Sequence, residues 1–375
     1  MEHCADDFTL PENLILDIDH ADGKCGDNLY WKLVNNTLHI FGTGELYPRA
    51  WENCFPTIFN EVRIHPGCTK IGDHAFDPGF TYRIKRDPND WTVRNRIPHL
   101  IYGSWKLESR LERVFLSDTV TEIGKFAFCR CKELDTVNLD CVEKIGDKAF
   151  AHSGLRNPCI SGKNKEIGKD IFLGCQRMHS LTVGMKIIEE DAFSCLHQIS
   201  QLTLCEGMET IGANAFKECG VVTVRFPGTV KEIGCCAFLM CSSLEGIYIP
   251  GSVREIGSSA FSGCNRLGEN CGKVILEKGV EKIGAWAFDG DHRDIHIEIP
   301  DSVKEIGEDA FRGIDAITYY GSAYAENMWG TWELNGLKRP LTWYDTHPQS
   351  EWIVADDTEE FREAMGDLEL PELDG

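Results

Sequence analysis

The chain of 375 residues is 42% hydrophobic and 26% charged, a composition typical of a globular protein and not of an intrinsically disordered one. Its 38 basic residues against 60 acidic ones give a net charge of −22, which repels phosphate backbones and argues against nucleic acid as a partner. No apolar run is long enough to span a membrane, and the acidic start lacks the pattern of a secretory signal. Together with 17 cysteines, these features predict a cytoplasmic protein whose thiols are mostly reduced.

Residues 1–55 are predicted to form an N-terminal cap that contains a β-hairpin. Two stretches of strand-like sequence, 29–34 and 37–41, flank Asn35 and Asn36. Asparagine tolerates the positive φ angles that a tight hairpin turn requires, so this pair favours a two-residue turn.

The central part of the chain repeats one motif, IGxxAF, ten times. After Ile123 the copies follow one another at intervals of 21 to 27 residues. A unit of this length cannot bury its own apolar side chains, so neighbouring units must stack into a solenoid with a continuous core. The copies begin at Ile71, Ile123, Ile145, Ile167, Ile188, Ile211, Ile233, Ile256, Ile283 and Ile306.

A second element precedes each motif by about ten residues. It is a short stretch of alternating apolar residues, as in 111–116, 134–139, 199–204, 244–250 and 295–300, and this alternation predicts a strand. Pro-Gly and Pro-Asp turns, such as Pro250-Gly251, then lead into the motif. Stacked units therefore predict a parallel strand ladder, on the order of 45 Å long at about 4.8 Å per step.

This repeat resembles the BspA-type leucine-rich repeat family, over residues 56–320. The resemblance implies an α/β-type leucine-rich repeat solenoid made mostly of β-strands and turns, with about ten stacked repeats and a cap at both ends. It also implies interaction or adhesion proteins of microbes, so a cell-surface or secreted location is the alternative to the cytoplasm. Glu189, in place of the motif's glycine, puts the ladder in doubt at one rung.

An inserted loop at about 77–106 interrupts the period. The segment 77–110 has a net charge of +3 within an acidic chain and contains interleaved aromatic residues, a mixture suited to binding an anionic protein surface. The alternatives are a solvated loop packed on its own aromatics, or a decayed repeat. As a second contact loop, its candidate residues are Arg83, Lys85, Arg86, Trp91, Arg94 and Arg96.

Residues 321–375 are predicted to form a tryptophan-rich cap followed by an acidic tail. Trp329, Trp332, Trp343 and Trp352 either pack over the last repeat or stack on sugars of a bound glycan. Residues 345–375 carry a charge of −10. This tail is either a solubilising extension or an intramolecular competitor that folds back on the basic insertion.

Six cysteines follow the repeat phenylalanine by two or three residues. A column of small buried residues is the favoured interpretation, with disulfides, a redox role or a metal site as alternatives. The six are Cys131, Cys175, Cys195, Cys219, Cys241 and Cys264. The sequence contains no motif of a known catalytic, phosphate-binding or zinc site, so we expect no enzyme, no cofactor and no metal.

We therefore predict a non-catalytic scaffold that binds a protein partner, of unknown identity, on the strand-lined face; cell-surface adhesion or glycan binding is the alternative. Solvent-facing residues at the centre of each strand form an outer row, which reads Phe115, Asn138, Cys159, Thr182, Thr203, Arg225, Tyr248, Ile275, Glu298 and Thr318. The larger residues Arg225, Tyr248, Ile275 and Glu298 are the candidate partner-binding site, since arginine and tyrosine dominate binding hot spots. Core packing or chance is the other explanation for this run.

Overall fold

The structure is a computed structural model. It describes residues 14–48, 59–78, 110–162, 165–269, 272–290 and 295–314, and the backbone of 316–319 and 351–354. These residues form a parallel-strand solenoid of about ten turns, in which regular helix is limited to one short 3₁₀ segment, η1 (Ile18–His20). The predicted leucine-rich repeat solenoid is confirmed.

A β-hairpin begins the stack. Strand β1 (Gly23–Lys24) pairs antiparallel with β2 (Asn28–Val34), which pairs antiparallel with β3 (Thr37–Glu45). The turn residues Asn35 and Asn36 have φ angles of 49° and 65°, the left-handed values that a two-residue hairpin turn requires. Because β3 also pairs in parallel with the first two strands of the solenoid, the hairpin covers the start of the stack.

Each turn of the solenoid contributes two strands, and therefore two ladders form where the sequence predicted one. The even-numbered strands from β4 onward, with β25, make the first ladder, and their outward residues form the outer row. This ladder is divided into three sheets, between β8 and β10 and between β20 and β22. Its strands are β4 (Glu61–Ile64), β6 (Arg113–Leu116), β8 (Thr136–Val137), β10 (Cys159–Ser161), β12 (Ser180–Gly184), β14 (Gln201–Leu204), β16 (Thr223–Arg225), β18 (Gly246–Ile249), β20 (Val274–Leu276), β22 (His296–Ile299), β24 (Ala316–Tyr319) and β25 (Glu351–Val354).

The odd-numbered strands from β5 to β23 make the second ladder, from the residues that begin each IGxxAF motif. Most are only two residues long, too short for a periodicity argument to detect. They are β5 (Cys68–Ile71), β7 (Glu122–Ile123), β9 (Lys144–Ile145), β11 (Glu166–Ile167), β13 (Ile187–Ile188), β15 (Thr210–Ile211), β17 (Glu232–Ile233), β19 (Glu255–Ile256), β21 (Lys282–Ile283) and β23 (Glu305–Ile306).

The second ladder divides into two sheets between β11 and β13, next to Glu189. Elsewhere the motif glycine lets adjacent turns approach closely: a Cβ added to Gly212 would lie 2.6 Å from the carbonyl oxygen of Ile188. Glu189 carries a Cβ at this position, where it would crowd the backbone of the neighbouring turn. The departure from the motif therefore opens one rung and leaves the fold intact.

The motif's turn places ordinary side chains in the left-handed backbone region. The residue before the motif alanine has a φ of 50° to 58° in every described turn, and it is as bulky as Phe126 or Trp286. This conformation points its N–H toward the next turn: Phe126 donates to the carbonyl of Asp147 at 3.0 Å, and Trp286 to that of Glu308 at 2.9 Å. The hydrogen bonds between turns offset the unfavourable conformation.

The core is a column of ten motif phenylalanines, all buried, with adjacent ring centroids 5.1 to 6.2 Å apart. Beside it lies the cysteine column, whose thiols donate to phenylalanine carbonyls of a preceding turn. Cys241, for example, donates to the carbonyl of Phe216 at 3.2 Å. Its members are Cys131, Cys175, Cys219, Cys241 and Cys264, and no disulfide joins any two of the cysteines that the structure describes.

Cys195 does not belong to this column, which corrects the sequence interpretation. Leu196, 3% exposed, takes the core position three residues after Phe193, and the thiol of Cys195 moves to the half-buried edge of the turn. The larger leucine fills the site that a cysteine fills in neighbouring turns.

The insertion adds no turn to the stack. Although 52 residues separate Ile71 from Ile123, β4 pairs directly with β6 and β5 with β7. Phe76 and Phe128 likewise stack at 5.1 Å. A decayed repeat inserted between these turns is therefore excluded.

Several predicted features lie outside the described residues: the insertion residues 79–109, the four tryptophans of the C-terminal segment apart from the backbone of Trp352, and the acidic tail after residue 354. The boundaries at 55 and 320 stay predictions. In the part of the chain that is described, no helix is long and apolar enough to cross a membrane.

Candidate functional site

Three residues of the outer row lie side by side on adjacent strands. Arg225 on β16 is in register with Tyr248 on β18, which is in register with Ile275 on β20. In-register parallel strands point equivalent side chains the same way, so these three form one continuous surface, the contact strip. The sequence predicted this grouping, and the backbone register brings it together.

The guanidinium carbon of Arg225 lies 4.8 Å from the ring centroid of Tyr248. A cation over an aromatic face is attracted by the ring quadrupole. The contact restricts both side chains before any partner binds, and this lowers the entropic cost of ordering them in a complex.

Glu277, just after β20, holds the other end of the tyrosine. The Tyr248 hydroxyl donates a hydrogen bond to one carboxylate oxygen of Glu277, and the second oxygen accepts the N–H of Gly251 at 3.0 Å. The hydrogen bond to Glu277 raises the pKa of Tyr248. The pKa of Glu277 is lowered, first by this hydrogen bond and then by the one from the N–H of Gly251. At neutral pH the tyrosine is therefore a neutral donor and the glutamate an anion.

Ile275 completes the contact strip as an apolar residue with 41% of its surface exposed. Glu298, the fourth predicted residue, is exposed on β22, which belongs to a separate sheet with β24 and β25. The pairing that fixes the register of the other three residues therefore does not extend to Glu298.

The sequence reasoning missed two contributors to this face. Glu277 could have been found, because it follows Ile275 by two residues and strand alternation places both on one side. The other is Arg63 on β4, whose guanidinium carbon lies 4.8 Å from the ring centroid of Phe115 on β6. Arg63 also pairs with the buried carboxylate of Glu61, on the same strand, at 2.6 Å, so the arginine of this second arginine–aromatic pair is held in place.

The second contact loop, with Arg83, Lys85, Arg86, Trp91, Arg94 and Arg96, lies outside the described residues, as do the side chains that the glycan alternative requires. Both stay predictions.

Nucleophilic thiol chemistry finds no support at the described cysteines. Wherever the pKa of one of them clearly departs from its ordinary value it is raised, chiefly by burial; for Cys25 it reaches about 12 and for Cys175 about 11. A raised pKa disfavours the thiolate that a nucleophile needs. Donor atoms suited to a metal come together away from the contact strip, at Cys195, His197 and Glu218.

Comparison with solved structures finds other leucine-rich repeat proteins. A leucine-rich cell surface protein from Faecalibacterium prausnitzii is 20% identical, covers 79% of this chain and 94% of its own, and has a TM-score of 0.32. A leucine-rich repeat protein from Eubacterium ventriosum is 19% identical over 80% of this chain and 72% of its own, with a TM-score of 0.36. The pneumococcal vaccine antigen PcpA is 18% identical over 78% of this chain and 80% of its own, with a TM-score of 0.39.

A comparison with curated proteins finds no match. The model of the BspA type leucine-rich repeat region matches residues 103–219, 178–271 and 268–321, which together span more than half of the chain. These residues include nine of the ten motif phenylalanines and most of both ladders. The chain belongs to the BspA-type leucine-rich repeat family.

Proposed function

We propose that this chain is a non-catalytic scaffold that binds a protein partner on the face of the first ladder, through the contact strip of Arg225, Tyr248 and Ile275. One observation carries the proposal: Arg225 and Glu277 hold Tyr248 in one orientation beside the exposed Ile275. Binding hot spots combine aromatic, arginine and apolar side chains in this way, at the centre of a surface that excludes water.

The rest of the outer row supports the same location. Toward the start of the solenoid its next members are Thr203, Thr182 and Cys159, which are small. A partner that uses this part of the face therefore meets a run of small side chains beside the group of larger ones. Glu298, one turn beyond, is proposed as a polar residue at the rim.

The test compares single substitutions on this face. A partner captured from the native cell on the immobilised chain is identified, purified and titrated calorimetrically against each variant. Tyr248→Ala is expected to weaken binding by about 1 kcal/mol or more, with an unchanged melting temperature. Thr182→Ala, in the same row two rungs from Arg225, is the matched control and is expected to bind like the wild type. Equal affinity for all three proteins would move the binding site away from the contact strip.

The basic insertion is proposed as a second contact element for an anionic partner surface. Its net charge opposes that of the chain, and it leaves the stack between turns that pair directly, so its removal spares the ladders. Deleting residues 79–106 is expected to weaken binding at low salt and to have little effect at high salt, because exposed charges are screened over about 8 Å at physiological ionic strength. Equal salt dependence with and without the insertion would assign it no contact with the partner.

A further inference from the structure

Three side chains with different metal-binding atoms meet at the edge of the solenoid where the motif's turn leads toward the next unit. The thiol of Cys195, the imidazole of His197 and the carboxylate of Glu218 offer one ligand atom each, all within 4.8 Å of one another. None of the three lies on the contact strip. The cluster is the one group of this kind among the residues that the structure describes.

The repeat itself brings two of these residues together. Cys195 and Glu218 each follow a motif phenylalanine, Phe193 or Phe216, by two residues, so they occupy equivalent positions on successive turns. Both have left-handed backbone conformations, with φ of 59° and 57°. The N–H of Cys195 donates to the carbonyl of Lys217 at 2.7 Å, which fixes the separation of the two turns at this edge.

Two departures from the repeat complete the cluster. Leu196 occupies the core position that a cysteine fills in neighbouring turns, and this brings the thiol of Cys195 to the turn edge instead of into the column. Gly220 lets the next turn approach the backbone of His197, since a Cβ on Gly220 would lie 2.2 Å from the carbonyl oxygen of His197. Gly174 and Met240 occupy the positions equivalent to Cys195 and Glu218 in the turn before and the turn after. Neither side chain offers a nitrogen or oxygen ligand.

We propose that Cys195, His197 and Glu218 bind a single zinc-type divalent ion. Zinc takes thiolate, imidazole and carboxylate ligands together, and three protein ligands leave a fourth position for water. Calcium and magnesium prefer oxygen ligands, of which this cluster offers one side chain. Binding displaces the thiol proton of Cys195 into solvent and leaves its sulfur bound to the ion.

Small side-chain movements suffice to close the site. Ligand atoms around a tetrahedral zinc ion lie about 3.5 Å apart, which follows from metal–ligand distances of 2.0 to 2.3 Å. His197 is exposed and Glu218 half-exposed, so both can rotate inward. The Glu218 carboxylate now lies 3.6 Å from the ammonium of Lys217, a surface ion pair that contributes little to stability and is readily exchanged for a metal ion.

The experiment titrates the full chain, kept reduced by a phosphine reductant, with Co²⁺ as a spectroscopic substitute for zinc. The wild type is expected to develop a thiolate-to-cobalt charge-transfer band and the intense visible bands of a four-coordinate ion, all abolished by excess Zn²⁺. Cys195→Ser is expected to lose the charge-transfer band. His197→Gln and Glu218→Gln are each expected to weaken Zn²⁺ binding at least about tenfold, the loss typical of even indirect changes at metal sites.

Cys235→Ser is the matched control, because Cys235 is exposed and adjacent to another thiol, that of Cys236. It is expected to bind cobalt like the wild type. Absence of the charge-transfer band in the wild type, or its survival in Cys195→Ser, overturns the proposal. A band lost only in Cys235→Ser would assign the metal to the adjacent cysteines and also overturn it. Circular dichroism establishes that each variant is folded, and the two substitutions at the turn edge, at His197 and Glu218, test the site without touching the core.

Discussion

The two faces of the first ladder differ although they share the same strands. Looking inward, Val224, Ile247 and Val274 stand in register and are all aliphatic; looking outward, their chain neighbours form the contact strip of Arg225, Tyr248 and Ile275. An inward side chain must fit the turns above and below it, so its size and polarity are constrained at every rung. An outward side chain is not constrained by packing in this way, so a group of large outward residues calls for an explanation other than the fold, such as binding.

The largest expected effect is a loss of folding stability when a side chain of the inward-facing core is truncated. Phe216 is fully buried between Phe193 and Phe238, with ring centroids 5.5 and 5.1 Å away. Phe216→Ala is expected to cost about 3 to 5 kcal/mol in the free energy of unfolding, through lost burial and a remaining cavity. Urea unfolding followed by circular dichroism measures it. Phe115→Ala, on the outer face and half-buried, is the control and should cost clearly less; equal losses would contradict a core located in the phenylalanine column.

A second prediction concerns a buried polar pair in the first turns, on the outward side of the ladder. His39 and His65 are buried, with Nδ1 of His39 3.0 Å from Nε2 of His65. Burial, then the neighbouring His39 and Arg63, lowers the pKa of His65 to about 4. Because the unfolded chain binds a proton near pH 6.5, stability is complete above that pH and falls as the pH drops toward 4, by about 3 kcal/mol for this group.

The measurement is urea unfolding at several pH values for wild type and His65→Gln, whose amide replaces the ring nitrogens as a hydrogen-bonding group. Carboxylates titrate in both proteins, so the difference between the two curves isolates the histidine. Parallel curves between pH 7 and 4 would mean that the buried pair does not limit acid stability.

A smaller effect is expected in the cysteine column. Cys241→Ala leaves the carbonyl of Phe216 without the thiol donor at 3.2 Å, and we expect a loss of about 1 kcal/mol. Cys235→Ala removes an exposed thiol of the same repeat and should change the stability by less than half of that amount. Thermal unfolding of both variants measures the two losses. Equal losses would mean that the thiol hydrogen bonds of the cysteine column do not contribute to stability.

The smallest effect tests the left-handed turn. Ser259 has a φ of 55°, and Ser259→Gly is expected to stabilise the protein by up to about 1 kcal/mol, because glycine adopts this conformation without the steric cost of a Cβ. The adjacent Ser258 has a negative φ, so Ser258→Gly should instead destabilise by about 0.5 to 1 kcal/mol through lost chain entropy. The same sign for both substitutions would contradict the conformational argument.

Much of the outer face could be predicted from the sequence. Strand alternation assigned Arg225, Tyr248 and Ile275 to one row, and the register places them side by side. The cation–π contact and the bond from Tyr248 to Glu277 could not be predicted, because they depend on the rotamers that adjacent strands allow. The predicted strands also began too early: Leu111 and Leu134 are buried in the turns before β6 and β8, where the chain is still changing direction.

By itself the sequence determined the solenoid, its period and its phenylalanine column, because one motif recurring at nearly constant spacing can bury its Ile, Ala and Phe only by stacking. The tertiary structure alone decided the second ladder, the left-handed turns and the direct stacking of turns across the insertion, since each rests on hydrogen bonds between units that no single unit specifies. It also decided where Cys195 lies. This cysteine follows its motif phenylalanine by two residues instead of three, and only the structure shows that Leu196 fills the core position in its place. The thiol then stands at the turn edge, beside the imidazole of His197 and the carboxylate of Glu218.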